Sequence, residues 1–347
     1  MTIKKIISIL LIIVFIIAVF IVWNVFGPAV KNPDKKFLYI PLNSSYNQVK
    51  DSLKNGEYIS NFFLFDKVAK YAELPQNIKP GKYKIAQGMS VYSLVKMLRS
   101  GRQEPVNLVI TKLRTKEDLA KKISKSFEVD SLDVIRFLNN PDSLSQYDVD
   151  TLTVMTDVIP NTYTYMWNTP ISAIFNKLDA ENKRFWNEDR LAKAKHLQLT
   201  TKEVYILASI VEEETNKQGD KGKIASVYLN RMQKGMRLAA DPTVKYAMRD
   251  FGLKRIYTKY LSFPSPYNTY QNAGLPPGPI CTPSIKTIDA VLDAPETDYT
   301  FFVARADFSG FSDFASTYQQ HLVYAKAYQQ ALDSVIKAKQ EKEDSLK

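Results

Sequence analysis

The stretch Leu207–Thr215, reading LASIVEEET, sets three consecutive carboxylates at the end of an amphipathic pattern. Carboxyl groups at an apolar boundary are side chains that can exchange protons near neutral pH. Thr200 and Glu203 have the spacing of a capping box, which predicts a helix beginning near Thr201. Val204, Leu207, Ala208 and Val211 recur at i, i+3, i+4 and i+7 and form one apolar stripe. At about 100° per residue, Glu213 falls opposite that stripe, Glu212 well to its side and Glu214 nearest to it. Glu213 is therefore expected in solvent and Glu214 against packing. Burial disfavours the charged form, so the pKa of Glu214 should rise until it can hold the proton that a general acid donates. The plain alternative is a charged, solvated helix end.

The residue inventory narrows the chemistry. Cys281 is the only cysteine, so no intrachain disulfide can form. His196 and His321 are the only histidines and no HExxH pair occurs, so neither a metal nor a cofactor is expected. No GxSxG elbow and no phosphate-cradling glycine loop is present. Acid–base work on carboxylates remains. The formal charge of +11 comes from scattered lysines and arginines. It favours anionic lipid head groups or an acidic polymer over nucleic acid.

Around the acidic run, the elements that must position it can be read along the 347 residues. Residues 6–26 carry no charge and are long enough to cross a membrane, giving an expected anchor behind a cytoplasmic tail at 1–5. Lys4 and Lys5 before the span and Lys31, Lys35 and Lys36 after it leave little charge contrast, but so short a tail fits an N-in, C-out protein. Residues 27–36 read as a stalk. Residues 37–104 use one pattern twice: FLYIPL leads into Ser45, Val49, Leu53 and Gly56, and YKI leads into Ser90, Val91, Leu94, Val95, Leu98 and Gly101. Strand, cap, helix and glycine repeated in this way describe a small α+β module. Residues 105–150 are a connecting region, with VNLVI as a strand and helices after Thr115 and Ser131. Residues 151–336 then hold the acidic helix, and 337–347 form a charged tail.

Past Glu214, KIASVYLNRMQKGMRL predicts a second helix with Ile224, Val227, Tyr228 and Leu229 inward and Gly235 at its end. Asp241 and Pro242 read as an N-cap and first-turn proline of a third helix. Residues 265–283 form a loop too rich in Pro, Gly and Asn to be regular and too aromatic to be a solvated linker. Rigid loops presenting rings and amides suit sugars. Tyr267, Asn268, Thr269 and Tyr270, with Gly274, Leu275 and Pro276, are the expected substrate contacts; a buried, hydrogen-bonded tyrosine is the alternative reading of Tyr267 and Tyr270. Apolar runs on both sides of Ser309 and Gly310 predict an antiparallel hairpin over 299–315. His321 is expected to pack or cap.

In this order and spacing, ASIVEEET, SVYLNR, GMRL, DPTVKYAM, SPYNTY and GLPPGPICTP closely resemble the YceG-like family of endolytic murein transglycosylases. The N-terminal anchor and the small module, which is similar to LysM, extend the likeness over nearly the whole chain. The resemblance implies an α+β protein: a transmembrane helix, a LysM-like module that binds glycan or only spaces the enzyme, and a catalytic domain with a helical core and an antiparallel hairpin. It implies residence in the inner membrane with the catalytic domain in the periplasm. The implied activity is cleavage of the MurNAc–GlcNAc β-1,4 bond within nascent peptidoglycan strands, leaving 1,6-anhydro-MurNAc ends and stopping strand growth beside cell-wall synthesis complexes. In the family's (E)xE(T) motif the catalytic residue is the second glutamate, which matches Glu214, with Glu212 supporting. Two departures stand out: Ala239 and Ala240 precede Asp241 where the family often has Gln, and Asn161 stands within Pro160–Tyr163 where the family usually has Asp. Asp241 reads more readily as a helix cap than as a second acid. The rival readings are a non-catalytic wall-binding scaffold and an ordinary wall hydrolase.

Overall fold

The computed structural model describes residues 3–30, 36–253 and 255–344. Met1, Thr2, five residues of the expected stalk (31–35) and the last three of the tail (345–347) lie outside the described residues. The chain is mixed α+β. In order it forms α1 (Ile3–Phe26), β1 (Phe37–Ile40), α2 (Tyr46–Asn55), α3 (Phe62–Tyr71), β2 (Gly81–Lys84), α4 (Val91–Ser100) and β3 (Val106–Val109). Next come α5 (Lys116–Ser126), α6 (Ser131–Asn139), α7 (Pro141–Leu144), β4 (Thr162–Tyr165), α8 (Ile171–Phe185) and α9 (Glu188–His196). The last elements are α10 (Thr201–Glu214), α11 (Gln218–Gln233), α12 (Asp241–Ala247), α13 (Ile285–Leu292), β5 (Phe301–Ala304), β6 (Ser312–Ala315) and α14 (Tyr318–Asp344). Two compact units divide them: Met1–Leu108 with Lys122–Asp130 and Tyr163–Pro170, and Val109–Lys121 with Ser131–Thr162 and Ile171–Lys347.

In the first unit, α1 is long and apolar enough to cross a membrane, and none of its residues is buried. β1 pairs antiparallel with β2, Phe37 opposite Lys84 and Ile40 opposite Gly81. Alternation along β1 sends Leu38 and Ile40 into a core with Leu53, Phe65, Tyr83, Leu94 and Leu98. Each such side chain contributes roughly 1.5–3 kcal/mol by burial. Ser45 and Gln48 form a capping box on α2, while Ser90 caps α4 and Gly101, at φ +71°, closes it. Helix α3 is not anticipated by the repeated pattern, because Phe62 to Phe65 form a continuous apolar run with no period to read. Val30 corrects the expected stalk: it is buried, bridges Ile59 and donates its N–H to the Met89 carbonyl, since a β-branched apolar residue is better packed than solvated.

The second unit is built round α10. Val204, Tyr205, Leu207, Ala208, Ile210 and Val211 meet Ile224, Ala225 and Tyr228 of α11 and Ile288 and Val291 of α13 in one core. The expected hairpin forms as β5 paired antiparallel with β6, Phe301 opposite Ala315. Buried Ser209 fastens the 265–283 loop to α10: its hydroxyl accepts the Ile280 N–H at 3.0 Å and its carbonyl accepts the Cys281 thiol. Gly278 is demanded by close approach, because a Cβ there would stand 2.2 Å from the Leu152 carbonyl oxygen. The expected tail continues α14 as helix through Asp344.

Candidate active site

Helix α10 starts where the capping box requires. The Glu203 N–H donates to Thr200 Oγ1 at 3.2 Å and the Thr200 N–H returns a bond to Glu203 Oε2 at 2.8 Å. From that fixed start, the three acids at the other end meet three different surroundings.

Glu212 reaches sideways into a polar pocket between helices. Lys221 Nζ lies 2.9 Å from its Oε2, Ser284 Oγ donates at 3.1 Å and Thr287 Oγ1 donates to the same oxygen. Burial alone would raise its pKa, but the Thr287 and Lys221 donors together hold it below the usual carboxylate range. Lys221 itself is buried, so the pair is a paired charge inside the unit, tying α10 to α11 and α13.

Glu213 corrects the expectation of a solvated side chain. It is 16% exposed, with Lys112 Nζ 3.1 Å from Oε1 and Arg114 Nη2 3.0 Å from Oε2. Residues 112–114, about a hundred positions away in the chain, run over the face that the helix period assigns to water. The periodicity of α10 carries no information about that segment.

Glu214 is the acid nearest the apolar stripe, and it is the one whose titration is displaced upward. Part of the residue reaches the surface, but its carboxyl is packed among protein atoms, and burial raises its pKa to about 7. The hydrogen bond from Tyr228 opposes the rise, the charge of Asp241 adds to it, and Arg231 and Lys245 temper it. Tyr228 Oη donates to Glu214 Oε1 at 2.6 Å. Burial, with Glu214 close by, pushes that phenol well above its ordinary value, so it stays a donor. Since Oε1 accepts this bond, the proton of the neutral acid belongs on Oε2. Arg231 is held by the carbonyls of Thr300, at 2.7 Å, and Leu238.

Asp241 does not cap α12. Ala240 occupies the cap position without a side-chain bond, Asp241 is the first helical residue, and its Oδ1 accepts from Tyr270 Oη at 2.7 Å. Immediately before it, Ala239 sits at φ +47°, a left-handed conformation that strains a residue with a Cβ. Thr269 clamps that turn: its carbonyl accepts the Ala239 N–H at 3.1 Å and its Oγ1 accepts the Ala240 N–H at 3.0 Å.

The expected substrate contacts therefore separate. Asn268 and Thr269 are buried and bonded to neighbouring segments, Asn268 Nδ2 donating to the carbonyls of Leu261 and Phe263 at 3.0 and 2.8 Å and Thr269 bracing the turn before α12. Both side chains are enclosed rather than presented at the surface as expected of contacts, and they shape the loop. Tyr270 is partly exposed and faces the Glu214 surroundings through Asp241. Tyr267 packs on Tyr246, ring centres 4.8 Å apart. Gly274, Leu275 and Pro276 line a cavity of about 440 Å³ with Glu203, Ile206 and Met232. That cavity sits at the opposite half of α10, eleven residues or roughly 16 Å of helix from Glu214. His321 packs, stacked on Phe301 at 5.3 Å.

Sequence reasoning placed Tyr228 on the inward face but not in the site. The available signal was a phenol within the stripe Ile224–Leu229, since a buried hydroxyl must find an acceptor. Arg231, Lys245 and Lys221 carry no comparable local signal.

The YceG-like family profile matches residues 38–327. An endolytic murein transglycosylase of Bacillus subtilis is 28% identical over 297 residues, covering 81% of this chain and 81% of its own length. An endolytic murein transglycosylase of Streptococcus pneumoniae is also 28% identical over 297 residues, covering 76% of this chain; the match spans 53% of that relative, about half its length. The crystal structure of a YceG-like protein from Listeria monocytogenes aligns with a TM-score of 0.55 at 28% identity, over 82% of this chain and 97% of that one.

Proposed function

Since this chain belongs to the YceG-like family, we propose that it is a membrane-anchored endolytic lytic transglycosylase of peptidoglycan. It cuts the MurNAc–GlcNAc β-1,4 bond of nascent strands and ends their growth. Helix α1 anchors it in the cytoplasmic membrane with the second unit outside. The residues 37–104 serve as a LysM-like module and 151–336 as the catalytic domain.

The observation that carries this reading is the enclosed carboxyl of Glu214, raised to about 7 and bonded at one oxygen by Tyr228. A carboxylic acid that keeps its proton near neutrality can give it to a leaving oxygen. In the proposed step Glu214 Oε2 protonates the bridging oxygen as the C1–O bond breaks. The carboxylate so formed then takes the proton of the MurNAc 6-hydroxyl while O6 closes on C1. One C–O bond breaks, one forms, the proton returns to Glu214 and no water is consumed. A single carboxyl suffices, in contrast to the pair that hydrolytic glycosidases require. Tyr228 stabilises the ionised intermediate state of Glu214. Glu212 holds the helix end through Lys221, and Asp241, pinned by Tyr270, keeps a negative charge near the acid and the developing cationic centre. Tyr267, Tyr270 and the Gly274–Pro276 wall are the substrate-facing surfaces.

The test is digestion of glycan strands by the full-length protein in nanodiscs, with mass spectrometry of the ends. Anhydro ends from the wild type that disappear in a folded Glu214→Gln variant are expected. Reducing ends would assign a hydrolase, and binding without cleavage a scaffold; either result overturns the proposal.

A further inference from the structure

The second unit holds another buried carboxylate, far along the chain from Glu214 and unused by the mechanism above. Asp157 ends a short 3-10 turn, Val154–Asp157, and is 7% exposed. It lines a cavity of about 270 Å³ with Asp148, Asp179, Lys183, Trp186 and Lys202, and its buried Oδ2 has no hydrogen-bond partner. A buried acceptor left without a donor is uncommon in a folded protein and destabilises it.

Several other polar groups of the cavity already have partners. Lys183 Nζ lies 2.8 Å from Asp179 Oδ2, and Lys202 Nζ lies 2.9 Å from Asp148 Oδ2. Asn182 Nδ2 donates to the Thr156 carbonyl and Thr156 Oγ1 donates to the Thr153 carbonyl, each at 2.8 Å. Three carboxylates therefore face two ammonium groups, and the one left over is the most buried. Trp186 and partly open Leu191 supply an apolar wall beside it.

We propose that this cavity is a binding site for a primary ammonium group on a small organic carrier, received by Asp157 with the carrier lying against Trp186 and Leu191. One ammonium supplies both what Oδ2 lacks, a donor, and what the cavity lacks, one positive charge. A hydroxyl would meet only the first need. An aminoalkyl side chain and an amino sugar share this chemistry. The site is independent of the transglycosylase reading, since none of its lining residues takes part in the step proposed above.

Empty, Asp157 answers its isolation by holding a proton: burial, then the charge of Asp179, lifts it to about 7, against the pull of Lys183 and Lys202. Asp148 adds a small upward push, and the Tyr147 phenol also faces it. The ammonium must displace that proton, so binding should tighten as pH rises and level off above 7.

The experiment is isothermal titration of the full-length protein in nanodiscs with Nα-acetyl-lysinamide and with methyl glucosaminide, the two carriers. At pH 8 at least one should bind, and its Nε- or N-acetylated form should not. For the lysine probe, whose amine stays charged throughout, affinity should fall about tenfold per pH unit below 7. Asp157→Asn should weaken binding at least tenfold. No heat from either probe at pH 8, equal binding of the acetylated form, or a pH-independent affinity overturns the proposal. The last two arms need only wild-type protein, so a variant that failed to fold would not protect it.

Discussion

Glu214 and Asp157 are both buried carboxyls lifted to about 7 mainly by burial, yet only one has the surroundings of a reacting acid. Glu214 has a dedicated donor, Tyr228, a second carboxylate nearby in Asp241 and two cationic side chains moderating it. Asp157 has a cavity, an orphan oxygen and lysines committed elsewhere. A raised pKa thus identifies a carboxyl that loses hydration, and the partners decide its use. For Glu214 the phenol favours the ionised form that must exist briefly within a catalytic cycle. For Asp157 only the pull of Lys183 and Lys202 does so, and the proposed ammonium would be the donor that its Oδ2 lacks.

The comparison breaks first at the catalytic end. Glu214→Gln should lower the rate of anhydro-end formation by 10³-fold or more, on the order of what general acid catalysis contributes, with the melting temperature at pH 7 not reduced; residual wild-type-like cleavage would remove Glu214 from its role. Next in size is Lys221→Met. It leaves the Glu212 carboxylate buried without its cation, and chemical denaturation should show a loss of about 3–5 kcal/mol.

A third measurement tests both acids by their pH dependence. Each has a folded pKa near 7 above an unfolded value near 4, so its contribution to stability is fully present at pH 4 and lost as pH rises through 7. The amide variants have nothing to lose in that window. Glu214→Gln and Asp157→Asn should therefore each be more stable than wild type at pH 8, by at most about 4 kcal/mol, and should show no such gain at pH 4. A gain in one variant only would separate the two sites.

Tyr228→Phe sharpens the contrast further. Without the phenol Glu214 loses the bond that favours its charged form, so its pKa moves up, the pH–rate profile shifts to higher pH and turnover falls roughly 10- to 100-fold. The smallest effect belongs to Glu213→Ala. Its ion pairs with the half-open Lys112 and Arg114 contribute less than about 1 kcal/mol, and cleavage should be unchanged within a factor of about 2.

Local signals in the chain account for the start of α10, the antiparallel hairpin at β5 and β6, the caps of α2 and α4, and the position of Glu214 nearest the apolar stripe. All of these follow from periodicity, turn chemistry or cap spacing, which are properties of a few neighbouring residues. The errors share an opposite cause. The helix period sends Glu213 to water because it carries nothing of residues 112–114, and local spacing makes Asp241 a cap because the Tyr270 hydroxyl arrives from 29 residues away. Nothing local to Thr269 announces that it braces the strained Ala239 turn, thirty residues earlier in the chain.

The amino-acid sequence by itself therefore determined where α10 and the β5–β6 hairpin form and which of three carboxyls lies nearest the apolar side, because backbone geometry converts spacing directly into direction. Only the tertiary structure decided what each polar group meets: Tyr228 on Glu214, Lys221 on Glu212, and a cavity beside Asp157. Those meetings join segments tens of residues apart, and the electrostatics of a buried group depends on every charge that folding brings within a few ångströms of it.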